Sequence, residues 1–195
     1  MTRYTSNDIY SEMSDNIYQT IKAKIKAEKS SYFKRVLVKE LMKYSFSSDK
    51  AKYLIDWFFG KNEDLSGIEL SIPESWKIAE MANAYKATYG EDLARQSIQI
   101  CEEKDQTDSK LSNKLKLEAL GANSEKRAEL IKIYMSGKHS WSNEQLSDSI
   151  SGFVSSHISK EIKKQYYDYY FDHLLESMRN YPQTMAKVSQ SKHEL

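Results

Sequence analysis

The side chains able to do chemistry are few and scattered. The four histidines, His139, His157, His173 and His193, stand far apart. No His-Glu-x-x-His occurs, the spacing that points two imidazoles at one metal from a single helical face. Cys101 is the single cysteine, so it forms no internal disulfide and builds no thiolate zinc cage by itself. As a nucleophile it needs an activating base and an exposed, electropositive setting; near Ile98 on an amphipathic segment it reads as a small core residue. A phosphate cradle calls for a glycine-rich turn between strand and helix, whereas the six glycines here stand singly, mostly at expected helix stops. These patterns name no reaction, and they place no catalytic residue, metal ligand or cofactor in the chain.

What remains is an aromatic constellation. Tyr166, Tyr167, Tyr169, Tyr170 and Phe171 lie in the most aromatic periodic stretch, Ile150 to Met178, around which the rest is organised. Ile162, Tyr166, Tyr169, Tyr170, His173 and Leu174 follow three- and four-residue steps and predict the inner stripe of a long helix from about Ser159 to Asn180. The five clustered aromatics span more than one face of that helix. Some therefore pack on neighbouring helices, and others are a possible interface to a second domain or another chain.

The elements that must position this stripe are all helical. Asn7 or Asp8 caps a first helix along Ile9, Met13, Ile17, Ile21 and Ile25, whose steps of four drift around the axis and predict an oblique buried strip. Tyr32 to Tyr44 forms a second, with Phe33, Val36, Leu37 and Leu41 inward. Ser47, Ser48 or Asp49 caps a third with Tyr53, Leu54, Trp57 and Phe58 inward and Gly60 as its stop. Residues 61–70 lack a period and form a loop. Ser71-Ile72-Pro73-Glu74 has capping-box spacing and opens a helix through Ile78, Met81, Ala82 and Tyr85 to Gly90.

Leu93, Ala94, Ile98 and Cys101 line the next helix, and Asp108 or Ser109 caps one through Leu111, Leu115 and Ala119 to Gly121. Ser124 caps another through Ala128, Ile131, Tyr134 and Met135 to Gly137. Ser142-Asn143-Glu144-Gln145 repeats the capping-box spacing ahead of Leu146 and Ile150. Pro182 opens a last helix with Met185 and Val188. No segment reads as a strand. Short polar connections favour antiparallel neighbours, so the fold class is all-α, stacked helix pairs in a HEAT- or armadillo-like solenoid, although no sequence motif repeats at fixed period.

With 195 residues the chain has the length for one well-cored domain, and a single all-helical domain over 1–195 is the default expectation. Lys22, Lys24, Lys26 and Lys29 crowd one helix end, but 29 Lys and Arg face 28 Asp and Glu, for a net charge of +1. A solvated face is the reading, with no nucleic-acid footprint. No apolar run approaches a membrane span, and the opening MTRYTSNDIYSEMSDN lacks the apolar core of a signal peptide. A soluble, cytoplasmic chain is expected. The closing Lys192-His193-Glu194-Leu195 is similar to an endoplasmic reticulum retrieval signal, which acts only after entry to the secretory route, so an ordinary polar tail is the reading.

Three segments, in order, resemble the C-terminal helical domain of aminopeptidase N-type zinc peptidases, over about residues 44–188. The first is Asp64 to Gly90, where Gly67, Ile68 and Leu70 lead into a helix bearing Trp76. The second is Asp105-Gln106-Thr107-Asp108, followed by the helix start Ser124 to Arg127. The third is Gly152-Phe153, a polar turn, and the aromatic helix with Tyr166 to Leu175. Ser75 stands where the family often has Arg, and Ala122 and Asn123 where it often has Pro. The resemblance implies a non-catalytic cap that packs on a zinc-bearing catalytic domain and helps enclose a peptide chamber. The zinc and the exopeptidase motif belong to that other domain, so no catalytic residue carries over and no cofactor is expected in this chain. The alternative is a standalone helical-repeat scaffold for peptide or protein partners.

Overall fold

The computed structural model describes residues 7–45, 47–155, 157–175 and 179, and every regular element among them is helical. The chain divides into two units, Met1–Thr88 and Tyr89–Leu195.

In the first unit α1 (Asn7–Ala27) packs on α2 (Ser31–Met42), and α3 (Ser48–Phe58) packs on α4 (Ile72–Ala84). Steps of four residues advance about 40° beyond a full turn each time, and the buried strip on α1 is oblique, as that spacing predicts. Tyr18 and Ile25 are buried, Ile17 and Ile21 are half-buried, and Met13 faces out. The Tyr18 hydroxyl donates to Lys50 O at 2.9 Å. On α2 the expected face is rotated: Val38, Leu41 and Met42 are buried, while Phe33 and Val36 are exposed and Leu37 is half-buried. Apolar residues occur on two sides of this helix, and packing chose the other one.

α3 buries Ala51, Leu54, Ile55 and Trp57, leaving Tyr53 and Phe58 half-buried. Gly60, just past its end, takes φ 70°, the left-handed turn that glycine adopts without steric cost. The expected loop holds a 3-10 turn, Glu63–Leu65, anchored by fully buried Leu65. Asn62 ties it down twice, donating to Tyr53 O at 2.9 Å and accepting from Asp64 N–H at 3.1 Å.

α4 starts on the expected capping box, the Glu74 carboxylate accepting from Ser71 N–H at 2.7 Å. It ends at Ala84, short of Gly90, and a separate turn, α5 (Lys86–Tyr89), intervenes. Trp76, Ile78, Ala79, Met81 and Ala82 are all buried, and burying each large apolar side chain contributes roughly 1.5–3 kcal/mol.

In the second unit α6 (Glu91–Lys104) contacts α7 (Ser109–Leu120), which packs tightly on α9 (Asn143–Phe153); α8 (Ser124–Ser136) also meets α9. Gly152 is the reason α7 and α9 can approach so closely. A Cβ there would overlap the carbonyl oxygen of Lys116 and lie 2.8 Å from its carbonyl carbon. Asn123 rather than Ser124 caps α8, its side chain accepting from Lys126 N–H at 2.9 Å. At α9 the Ser142/Gln145 capping box forms as expected, with bonds of 3.0 and 3.2 Å.

The long helix expected from Ser159 is broken. α10 (Lys160–Lys164) and α11 (Tyr167–Asp172) are separated by a turn at Gln165 and Tyr166. Consecutive aromatics are mediocre helix formers, so their contacts decide the path. Ile162, expected inward, is exposed, and the Lys163 side chain is buried instead. The expected helix after Pro182 with Met185 and Val188, His193 and the Lys-His-Glu-Leu ending lie outside the described residues.

Candidate functional site

The aromatic segment is built onto the second unit's core around one arginine. Arg127 lies in phase with Leu130, Ile131 and Tyr134 on the buried face of α8 and is only 3% exposed. Its Nε donates to Ala122 O at 3.1 Å, Nη1 to Phe153 O at 3.0 Å, and Nη2 to Ala119 O at 3.2 Å and Leu120 O at 3.1 Å. These carbonyls lie at or just beyond the ends of α7 and α9, where the last turns lack intrahelical donors and carry partial negative charge. The guanidinium also stands 5.0 Å from the Phe153 ring centroid. Burial lowers its proton affinity below the ordinary arginine value, and it remains a cation across the neutral range. By sequence Arg127 belongs only to a helix start, although its phase with the apolar stripe is a signal for burial.

Phe153 carries the aromatic layer. Tyr134 meets it edge-on with centroids 5.5 Å apart, and Tyr166 does so at 5.3 Å. The Tyr134 hydroxyl shares a buried 2.7 Å hydrogen bond with Ser149, and burial pushes its titration well above the usual tyrosine range. Of the five aromatics named from the sequence, Tyr170 is buried in this core, and Tyr166 and Tyr169 pack against it. The Tyr166 hydroxyl donates to Ser124 O at 3.3 Å, and Tyr169 stacks on His173 with centroids 4.1 Å apart. Tyr167 is half-buried. Phe171 is 58% exposed and Leu175 75%. The cluster therefore divides between core and surface.

In the first unit the lysines crowded on α1 and α2 are mostly engaged. Lys22 sits over the Tyr53 ring at 4.7 Å, and Lys26 lies 3.5 Å from the Asp64 carboxylate, which also accepts from the Tyr53 hydroxyl at 3.2 Å. Lys34 donates to Asp64 O at 3.0 Å. Arg35 and Lys39 lie 3.4 and 3.7 Å from Glu74. Burial pushes the Glu74 carboxyl up, but its hydrogen bonds with Ser71 and the two cations outweigh this and hold it below the usual value.

Among the described residues the other candidates gather into no reactive site. His139 stacks on Trp141 with centroids 5.6 Å apart and accepts from Trp141 N–H at 3.2 Å. Cys101 is buried, and burial raises its thiol to about 12, so it carries almost no thiolate near neutrality. Among the described residues no group of three His, Cys, Asp or Glu side chains is placed to hold a metal ion, and no helix is long and apolar enough to cross a membrane. Comparison with protein-family models, curated proteins and solved structures finds no match to this chain.

Proposed function

We propose that this chain is a non-catalytic helical binding domain. The observation that carries the reading is the outward set of large apolar side chains, Tyr32 and Phe33 on α2 and Phe171 and Leu175 at the aromatic segment. Exposed side chains of this size, held on helices whose other faces are well packed, suit docking of a protein or peptide. In its narrower form the proposal is a cap on the catalytic domain of an aminopeptidase N-like zinc peptidase, built of stacked helix pairs in a HEAT- or armadillo-like manner, cytoplasmic, with zinc held by the partner domain.

Two details support that narrower form. The Asp105 carboxylate accepts from both the N–H and the hydroxyl of Thr107, at 2.8 and 2.7 Å, making a built turn of the second resembling segment. Gly152 of the third is required by the contact with α7. The test is to purify the chain, assay hydrolysis of amino-acid arylamides, measure bound zinc, and titrate it against a zinc peptidase catalytic domain. Absence of hydrolysis with saturable association supports the cap; zinc-dependent hydrolysis by the chain alone refutes a binding role.

A further inference from the structure

We propose that the groove between α1 and α2 is a docking site for an amphipathic helix bearing carboxylates. The inference rests on the reading of this chain as a binding domain and names the partner's chemistry. The groove is an open cleft of about 360 Å³ lined by Lys24, Ala27, Glu28, Phe33, Val36 and Leu37. Its apolar wall continues onto Tyr32, 71% exposed, whose ring holds Phe33 in an edge-to-face contact with centroids 5.4 Å apart. Phe33 and Val36 are themselves 57% and 45% exposed.

The two helices are joined by three residues, Glu28 to Ser30, and the furrow lies beside that turn, between the end of α1 and the first turns of α2. A third helix lays apolar side chains into such a furrow at three- and four-residue steps.

Charge selects the occupant. Lys22, Lys26, Lys34, Arg35, Lys39 and Lys43 each have a partner inside the unit. Lys24 lines the groove and Lys29 follows its lining residue Glu28. Neither makes an ion pair among the described residues. Glu28 keeps its negative charge, but its Oε1 is turned onto the connecting turn, accepting from Lys29 N–H at 2.9 Å and Ser30 N–H at 2.8 Å, so two cations stand against one anion here. An apolar furrow flanked by uncommitted ammonium groups complements leucine or phenylalanine anchors bordered by glutamate or aspartate.

The test titrates the full chain into two labelled synthetic peptides of about four helical turns, followed by fluorescence anisotropy. One has Leu and Phe on one face and Glu on the other; its counterpart has Lys in place of Glu. The acidic peptide should bind and the basic one should not. Val36→Glu, at an exposed position that leaves helicity by circular dichroism unchanged, should abolish binding. Lys24→Glu should weaken it about tenfold at low ionic strength, with the difference shrinking as salt rises. Failure of the acidic peptide to bind, equal binding of both, or binding that survives Val36→Glu overturns the groove assignment. So does self-association in sedimentation velocity that Val36→Glu abolishes, since a second copy would then be the occupant. Hydrolysis of either peptide would instead overturn the underlying reading of the chain as a binding domain.

Discussion

Glu74 in the first unit and Arg127 in the second are both buried charges at helix ends, yet they are stabilised differently. Glu74 sits in the first turn of α4, where an acid accepts from free backbone N–H groups, and it adds two partly exposed cations, Arg35 and Lys39. Arg127 reaches carbonyls at the ends of two helices, and its hydrogen-bond acceptors among the described residues are backbone oxygens rather than carboxylates. The first arrangement joins α2 to α4 through water-accessible side chains. The second locks α7, α8 and α9 together through backbone alone, so it should be insensitive to salt and to pH near neutrality.

The largest effect should come from removing the second arrangement. Arg127→Ala leaves several carbonyls without donors and should cost about 3–5 kcal/mol in urea unfolding. Arg127→Lys should recover only part, because an ammonium on a flexible stem cannot reproduce the planar fork. Recovery of full stability by lysine would show that charge alone matters there.

Next comes Gly152→Ala, which forces the backbones of α7 and α9 apart. Overpacking at a backbone contact should cost about 3 kcal/mol and lower the melting temperature. A neutral outcome would mean the two helices slide freely, removing the frame on which Arg127 depends.

Glu74→Gln should be milder, about 1–2 kcal/mol, through loss of the charged cap and its cations. Its pH signature separates the two arrangements. The folded carboxyl titrates below its ordinary value, held there by its Ser71 hydrogen bonds and the two cations. Its contribution is therefore complete above that value and is lost as pH falls through the lower folded value. Unfolding midpoints measured from pH 6 downward should fall more steeply for the parent than for Glu74→Gln. Arg127→Ala should leave that slope intact.

The smallest effect belongs to Lys26→Ala. Its pair with Asp64 is half-exposed, so the loss should stay within about 1 kcal/mol and vanish in high salt. A larger, salt-resistant loss would mean that rim cations matter as much as buried ones.

Much of the helical layout was legible in the residues. The capping boxes at Ser71 and Ser142 depend on groups three positions apart, and the turns at Gly60 and Gly137 depend on positive φ, so neighbours along the chain settle them. The rotated face of α2 was not legible, because Phe33 and Val36 match helical spacing as well as Val38 and Met42 do. Nor was the break at Gln165. A continuous stripe through Ile162 fits the period, and only the docking of Tyr166 on Phe153 and Ser124 turns the chain there. The aromatic cluster's division into buried Tyr170 and exposed Phe171 follows from the same docking.

By itself the sequence determined that this chain is helical, where most helices begin and end, and that its tyrosines could not all face one way. These are consequences of hydrogen bonding and periodicity within a few residues. The tertiary structure alone decided which apolar stripe of α2 went inward, that Arg127 of α8 would hold the ends of α7 and α9 through their carbonyls, and that Gly152 would leave room for Lys116. Each of those depends on groups brought together from distant positions, whose burial and hydrogen-bonding needs are set only when the helices meet.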